Sequence, residues 1–269
     1  MKFFNECDLS IISNFGSKTI LAQNATLSVS RNINSTYSIG RQNSSQLSKT
    51  RDDESTLDFS YYIEGSDPIF KSASYIRTGI FLNSFPEINV PVTLKFAGIS
   101  GSFYPTRYSF SVTPNSRIQA NASFSSFSDI SGSLSSKAAS NNLMSGSGIA
   151  HAWNTKISGN ITNTIYNTLE FDYSLNINWD PIYSIGQRRP RQVNLSAGQE
   201  TFDFVVEDGD SNFDAVTLST SKNSTVYIGD FSTQTIFSIN TSGSDIDSSS
   251  LGLNVEDVVK NKLSLKRTF

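Results

Sequence analysis

Apolar and polar residues alternate along most of the chain with the period of two that a half-buried strand requires. Leu27 and Val29 begin one such run, which resumes towards Ile33 and Tyr37, and Leu169, Phe171, Tyr173, Leu175 and Ile177 form another. Both runs end in the same phrase, YSIG, at Tyr37 to Gly40 and again at Tyr183 to Gly186. A hydrophilic segment follows each, RQNSSQLSKTRDDES in the first case and QRRPRQVNLSAGQE in the second. These are too polar to fill a core and too long for a tight hairpin turn, so an exposed loop is predicted in both places. Next come STLDFSYYI and ETFDFVVED, which set Leu57, Phe59 and Tyr61, and Phe202, Phe204 and Val206, on one face of a strand.

One segment switches to helical spacing. Asp67 is placed to cap, Pro68 suits the first helical position, and Ile69, Phe70, Ala73 and Ile76 fall along one side. The matching stretch of the second half, DSNFDAVTLSTSKNS, has no such stripe. Strands resume at PVTLKFAG and in a hairpin that turns at Pro114 and Asn115, and the end of the chain, LGLNVEDVVKNKLSLKRTF, reads as a second hairpin.

Placing Tyr37 on Tyr183 also sets Leu27 and Val29 on Tyr173 and Leu175, and Gln46 on Gln192. One gap in the polar segment then brings Thr56-Leu57-Asp58-Phe59 onto Thr201-Phe202-Asp203-Phe204. Order, spacing and strand phase agree, which points to an internal duplication. The Ser- and Gly-rich stretch DISGSLSSKAASNNLMSGSG marks the boundary, giving modules over residues 1–135 and 136–269. The expected fold is mainly β, two tandem sandwich or barrel modules, each with at most one short helix. In each, Tyr37 and Tyr183 anchor a strand end, while Gly40 and Gly186 release the chain into its loop as a structural hinge.

Composition narrows the function. Charged residues make up 17% of the 269 residues and the net charge is −3, so the basic excess of a protein that grips nucleic acid is missing. Cys7 is the only cysteine, which excludes an intrachain disulfide and a thiolate zinc site. Asn5, Glu6 and Asp8 interrupt the N-terminal stretch before a signal peptide can develop, and no apolar run approaches the length of a membrane-spanning helix. The sequons at Asn34 and Asn223 are read as products of an Asn- and Ser-rich composition.

Chemistry is sparse as well. His151 is the only histidine and reads as an exposed or hydrogen-bonded residue near Trp153, not as the centre of a triad. Glu207, Asp208 and Asp210 lack the spacing of a calcium loop. No catalytic, cofactor-binding or metal-binding set is expected, and the chain is not expected to be an enzyme. The two polar loops are better suited to docking a neighbouring subunit, with Arg41, Asp52, Asp53 and Glu54 in the first and Arg188, Arg189 and Arg191 in the second.

A strand ending in Y-x-I-G, a long polar loop, an aromatic alternating strand, a helix and further hairpins resembles the tail-tube module of tailed bacteriophages. The likeness is carried by Leu27 to Gly40, Arg41 to Ser55, Thr56 to Ile63, Asp67 to Arg77 and the hairpin at Pro114, then by Leu169 to Gly186, Gln187 to Glu200 and Thr201 to Glu207. It implies a virion protein whose strands join those of its neighbours into a barrel-like ring. Rings stack through the long loops, and a fused pair of modules closes as a trimer with pseudo-hexagonal symmetry. Other tail proteins such as a tape measure, terminator or baseplate are the implied partners, and double-stranded DNA passes without specific binding. A hub, distal-tail or neck ring of the same fold is the alternative. Outside this family, exposed aromatics such as Trp153 and Trp179 suit a carbohydrate-binding or adhesin sandwich.

Overall fold

The alternating runs become strands of a 12-stranded antiparallel sheet. The structure is a computed structural model that describes residues 9–36, 46–65, 67–81, 91–133, 148–159, 168–207, 224–230, 234–252 and 260–269. Its main path begins at β3 (Ala22–Ser30), which pairs with β6 (Glu54–Tyr62), β6 with β9 (Gln119–Ser126), and β9 with β8 (Ile99–Val112). The far side of β8 pairs with β12 (Thr168–Tyr183), and the sheet continues through β13 (Pro190–Glu207) and β17 (Lys260–Thr268) to β16 (Asp245–Gly252). A branch leaves the N-terminal part of β8 through β7 (Val92–Phe96), β1 (Leu9–Ser13) and β2 (Gly16–Ile20), and β10 (Ser131–Gly132) pairs the start of β8. Two small sheets stand apart, β4 (Ile33–Thr36) with β5 (Gln46–Lys49), and β11 (Lys156–Gly159), β14 (Ser224–Gly229) and β15 (Thr235–Asn240).

One face of the main sheet is aromatic because the period-two pattern puts its large residues there. Phe59, Tyr61, Phe124, Tyr108, Phe110, Phe171, Tyr173, Phe202 and Phe204 are all buried on it. The helix α1 (Pro68–Phe81) and the sheet of β15 cover this face. Phe70 of α1 stacks on Phe237 of β15 at 4.2 Å between centroids, and meets Tyr108 at 5.5 Å and Tyr173 at 6.2 Å. Pairs of this kind add about 0.5–1.5 kcal/mol each beyond their area. The opposite face carries small polar side chains, Ser109, Ser111, Asn121, Asp172, Ser174, Thr201 and Asp203 among them, around a shallow groove.

The helix starts where its capping chemistry predicts. Asp67 Oδ1 accepts from the backbone N–H of Ile69 at 2.9 Å and of Phe70 at 3.3 Å, and Oδ2 accepts from the hydroxyls of Tyr61 at 2.7 Å and Tyr108 at 3.1 Å. The carboxyl therefore ties α1 to β6 and β8. Ile69, Phe70 and Ala73 are buried as the stripe requires, while the side chain of Ile76 lies outside the described ones. Losing the cap and the acceptor shared by two buried phenols should cost Asp67→Ala about 2–4 kcal/mol in a urea unfolding experiment.

Burial pushes the Asp67 carboxyl above its ordinary value of 3.8, against the opposing pull of its hydrogen bonds. Its folded value thus exceeds the unfolded one, so its contribution is complete below pH 3.8 and is lost as pH rises through the folded value. Asp67→Asn should remove that part of the pH dependence of unfolding.

Several expectations are modified. The segment Gln187 to Glu200 is not a long loop: β12 runs to Tyr183 and β13 starts at Pro190, leaving a turn of residues 184–189. Alternation persists through the polar stretch at Val193, Leu195 and Ala197, and Val193 is buried, so each polar strand satisfies its backbone on the other. Arg191 accordingly lies in a strand, and Glu54 opens β6 instead of lying in a loop. Part of the first polar segment is the hairpin strand β5. The hairpin at Pro114 forms between β8 and β9; β17 does pair in a final hairpin, but its partner β16 spans Asp245–Gly252, mostly before the expected first strand, of which Leu253 and Val255 lie outside the described residues. Tyr37, Gly40, Arg41, the stretch DSNFDAVTLSTSK and the boundary between residues 135 and 136 lie outside the described residues.

Candidate functional site

Among the described residues the 12-stranded sheet has free edges at β3 and β16, and at β2 and the two-residue β10 on its branch. Among the described residues β3 has a partner on one side only, β6, and β16 likewise only β17. Each edge presents a row of backbone donors and acceptors that another strand can take up. The side chains show the same incompleteness. Leu27 stands opposite Leu57 in the β3 pair, as Tyr173 stands opposite Phe202 in the β12 pair. Tyr173 and Leu175 are covered because β8 flanks β12, and both are buried. At the matching places on β3, Leu27 is half-buried and Val29 is 46% exposed. Val29 thus lies exposed on the free edge, whereas Leu175 on a flanked strand is buried.

The charged loop candidates cluster at one end of the sheet. Asp52 is buried; its carboxylate accepts from Arg189 Nε at 3.0 Å, its N–H donates to the Arg188 carbonyl at 3.1 Å, and its carbonyl accepts from Asn32 Nδ2 at 2.9 Å. Lys49 Nζ bridges Asp129 at 2.6 Å and Asp53 at 3.3 Å. The hydrogen bond to Lys49 holds the Asp129 carboxyl below its ordinary value. Arg51 pairs with Glu54 at 3.0 Å and lies 5.6 Å from the centroid of the Tyr183 ring. Asp52, Asp53, Glu54 and Arg189 are thus engaged within the chain, and Asp52 with Arg189 latches the turn of the β12–β13 arm beside the start of β6. Arg188 and Arg191 remain exposed. Gly186 sits in this turn at φ +84°, a conformation that favours glycine, and Ile185 beside it is fully exposed.

A second polar constellation escaped the sequence reading. Glu200 and Arg267 form a buried ion pair between β13 and β17, in which Arg267 Nε donates at 2.8 Å and Nη2 donates to the same carboxylate oxygen. The other oxygen accepts from the Tyr173 hydroxyl at 2.8 Å, and Arg267 also donates to the carbonyls of Asn240 and Ser242. Its guanidinium lies 5.4 Å from the Phe202 ring centroid. The signal was phase: Glu200 shares the inward parity of Phe202 and Phe204, and Arg267 that of Leu263 and Leu265. Ser55 and Ser126 pair at the corresponding place between β6 and β9 and are also buried.

Trp179 and Trp153 differ in environment. Trp179 Nε1 donates to the Pro105 carbonyl at 2.7 Å and its ring lies 5.1 Å from Tyr104, so it fastens the arm to β8. Trp153 is 61% exposed and stacks on His151 at 4.5 Å. Cys7 lies outside the described residues, and among those described no group of three or more His, Cys, Asp or Glu converges as a metal site requires. No described helix is long and apolar enough to cross a membrane. No model of a known protein family matches the chain, and no curated protein matches it.

Proposed function

We propose that the protein is a virion structural subunit, a phage tail-tube protein whose chain contains two tandem modules and whose copies close into stacked trimeric rings around a conduit for DNA. The observation that carries this reading is the order of strands in the sheet. The first half contributes β3, β6, β9 and β8, and the second β12, β13, β17 and β16, so equivalent strands follow one another along one continuous sheet. The joint inside the chain, β8 with β12, has as its equivalent a joint between β16 of one copy and β3 of the next. A sheet that repeats itself and ends in complementary edges closes by adding copies, and closure removes the exposed edges of β3 and β16.

Two further features support the reading. The face of the sheet left uncovered by α1 is lined by hydroxyl, amide and carboxylate side chains, which suits a lumen that a polyanion slides through without sticking. The β12–β13 arm, with Ile182 and Ile185 exposed, extends beyond the joint with β8 and is suited to reach a stacked ring. Electron microscopy and native mass spectrometry of the purified chain test the proposal. Rings of three chains, or tubes of stacked rings, are expected; a monomer at every concentration overturns it. Isolated single rings that never stack favour a hub, distal-tail or neck ring.

A further inference from the structure

Resting on that ring-forming reading, we infer that neighbouring chains join β16 to β3 in one register, with Ser250 of one copy opposite Ser28 of the next. The chain contains the template for this joint. In the pairing of β8 with β12, Ser109 stands opposite Ser174 and Arg107 opposite Asn176. The question is which residues of β16 and β3 occupy those places, and the internal registers answer it.

The hairpin of β16 and β17 repeats that of β8 and β9, including its irregularity. A one-residue bulge lies between Pro105 and Arg107 opposite Phe124 and Ser123, and another between Ile246 and Ser248 opposite Leu265 and Ser264. Bulges pin register, so counting from each one fixes the correspondence. Ser109 is the second residue after Arg107 and Ser250 the second after Ser248. On the other strand, Ser174 pairs with Thr201 as Ser28 pairs with Thr56. Transferring the template sets Ser250 against Ser28 and Ser248 against Ser30, all four exposed in the single chain.

Charge supports the same alignment independently. One step further along, Arg31 comes level with Asp247 at the bulge, and both are exposed. A slip of one residue would set Ser250 or Ser248 opposite Leu27 or Val29, joining the polar face of one copy to the apolar face of the next, and a slip of two would part Arg31 from Asp247.

Cysteine cross-linking of the full chain in a Cys7→Ser background tests the register. Ser28→Cys with Ser250→Cys should give disulfide-linked chains under mild oxidation. The pairs Ser30→Cys with Ser250→Cys and Ser28→Cys with Ser248→Cys should link at least ~10-fold more slowly, because a two-residue offset takes the Cα atoms beyond about 7 Å. Ser109→Cys with Ser174→Cys is the control: it should close within one chain, showing that a folded joint of this geometry accepts the bridge. Micrographs of the same samples separate the two ideas. Rings in which an offset pair links fastest overturn the register and leave the ring standing; absence of both rings and interchain links, with the control bridge formed, overturns both.

Discussion

Arg267→Ala should lower the unfolding free energy by about 3–5 kcal/mol, the cost of leaving a buried carboxylate without its cation. Glu200 would lose both charge-assisted hydrogen bonds to the guanidinium, and the carbonyls of Asn240 and Ser242 would lose a donor. The loss should appear as a lower urea midpoint with unchanged slope, and as a melting temperature on the order of 10 °C lower for a chain of this size. Replacing both partners, Glu200→Met with Arg267→Met, should recover most of the stability, because apolar residues of similar volume remove the desolvation cost together with the attraction. A single variant as stable as the parent would show that water reaches this site. Between β6 and β9 the buried Ser55 and Ser126 stand opposite one another without an ion pair.

The contrast explains what was legible in the sequence. The strand periodicity, the cap at Asp67 and the turn at Pro114 could be read directly, since each depends on residues close in the chain. In the pairs of β3 with β6 and of β12 with β13, Leu27 stands opposite Leu57 and Tyr173 opposite Phe202. What could not be read depends on contacts between distant segments. Nothing local to Arg189 indicates that Asp52 binds it, and the polar composition of Gln187 to Glu200 hid a weak alternation that only pairing with β12 makes structural. Glu200 and Arg267 were visible only as charges in an inward phase, an oddity whose meaning required knowing that the two strands are neighbours. Asp52, Asp53, Glu54 and Arg189 have partners within the chain, while Arg188 and Arg191 are exposed.

Val29→Asp should abolish assembly while leaving the single chain folded. Val29 is 46% exposed on β3, so a carboxylate there stays solvated in the monomer and should change stability by no more than about 0.5 kcal/mol. In a closed ring the same position is covered by the adjoining strand, as Leu175 is covered by β8, and the charge would be buried without a partner. A penalty of about 3 kcal/mol at each joint weakens each by more than a hundredfold, and a ring needs every joint at once. Sedimentation velocity should therefore find monomers at concentrations where the parent chain forms rings, with unchanged circular dichroism. Leu175→Asp is the informative companion, because its site is fully buried within the chain and the same charge should unfold the protein instead of merely dissociating it. If Val29→Asp assembled like the parent, β3 would not be the joining edge. If both variants simply unfolded, the apolar strip on β3 would belong to the core of one chain, not to the space between two.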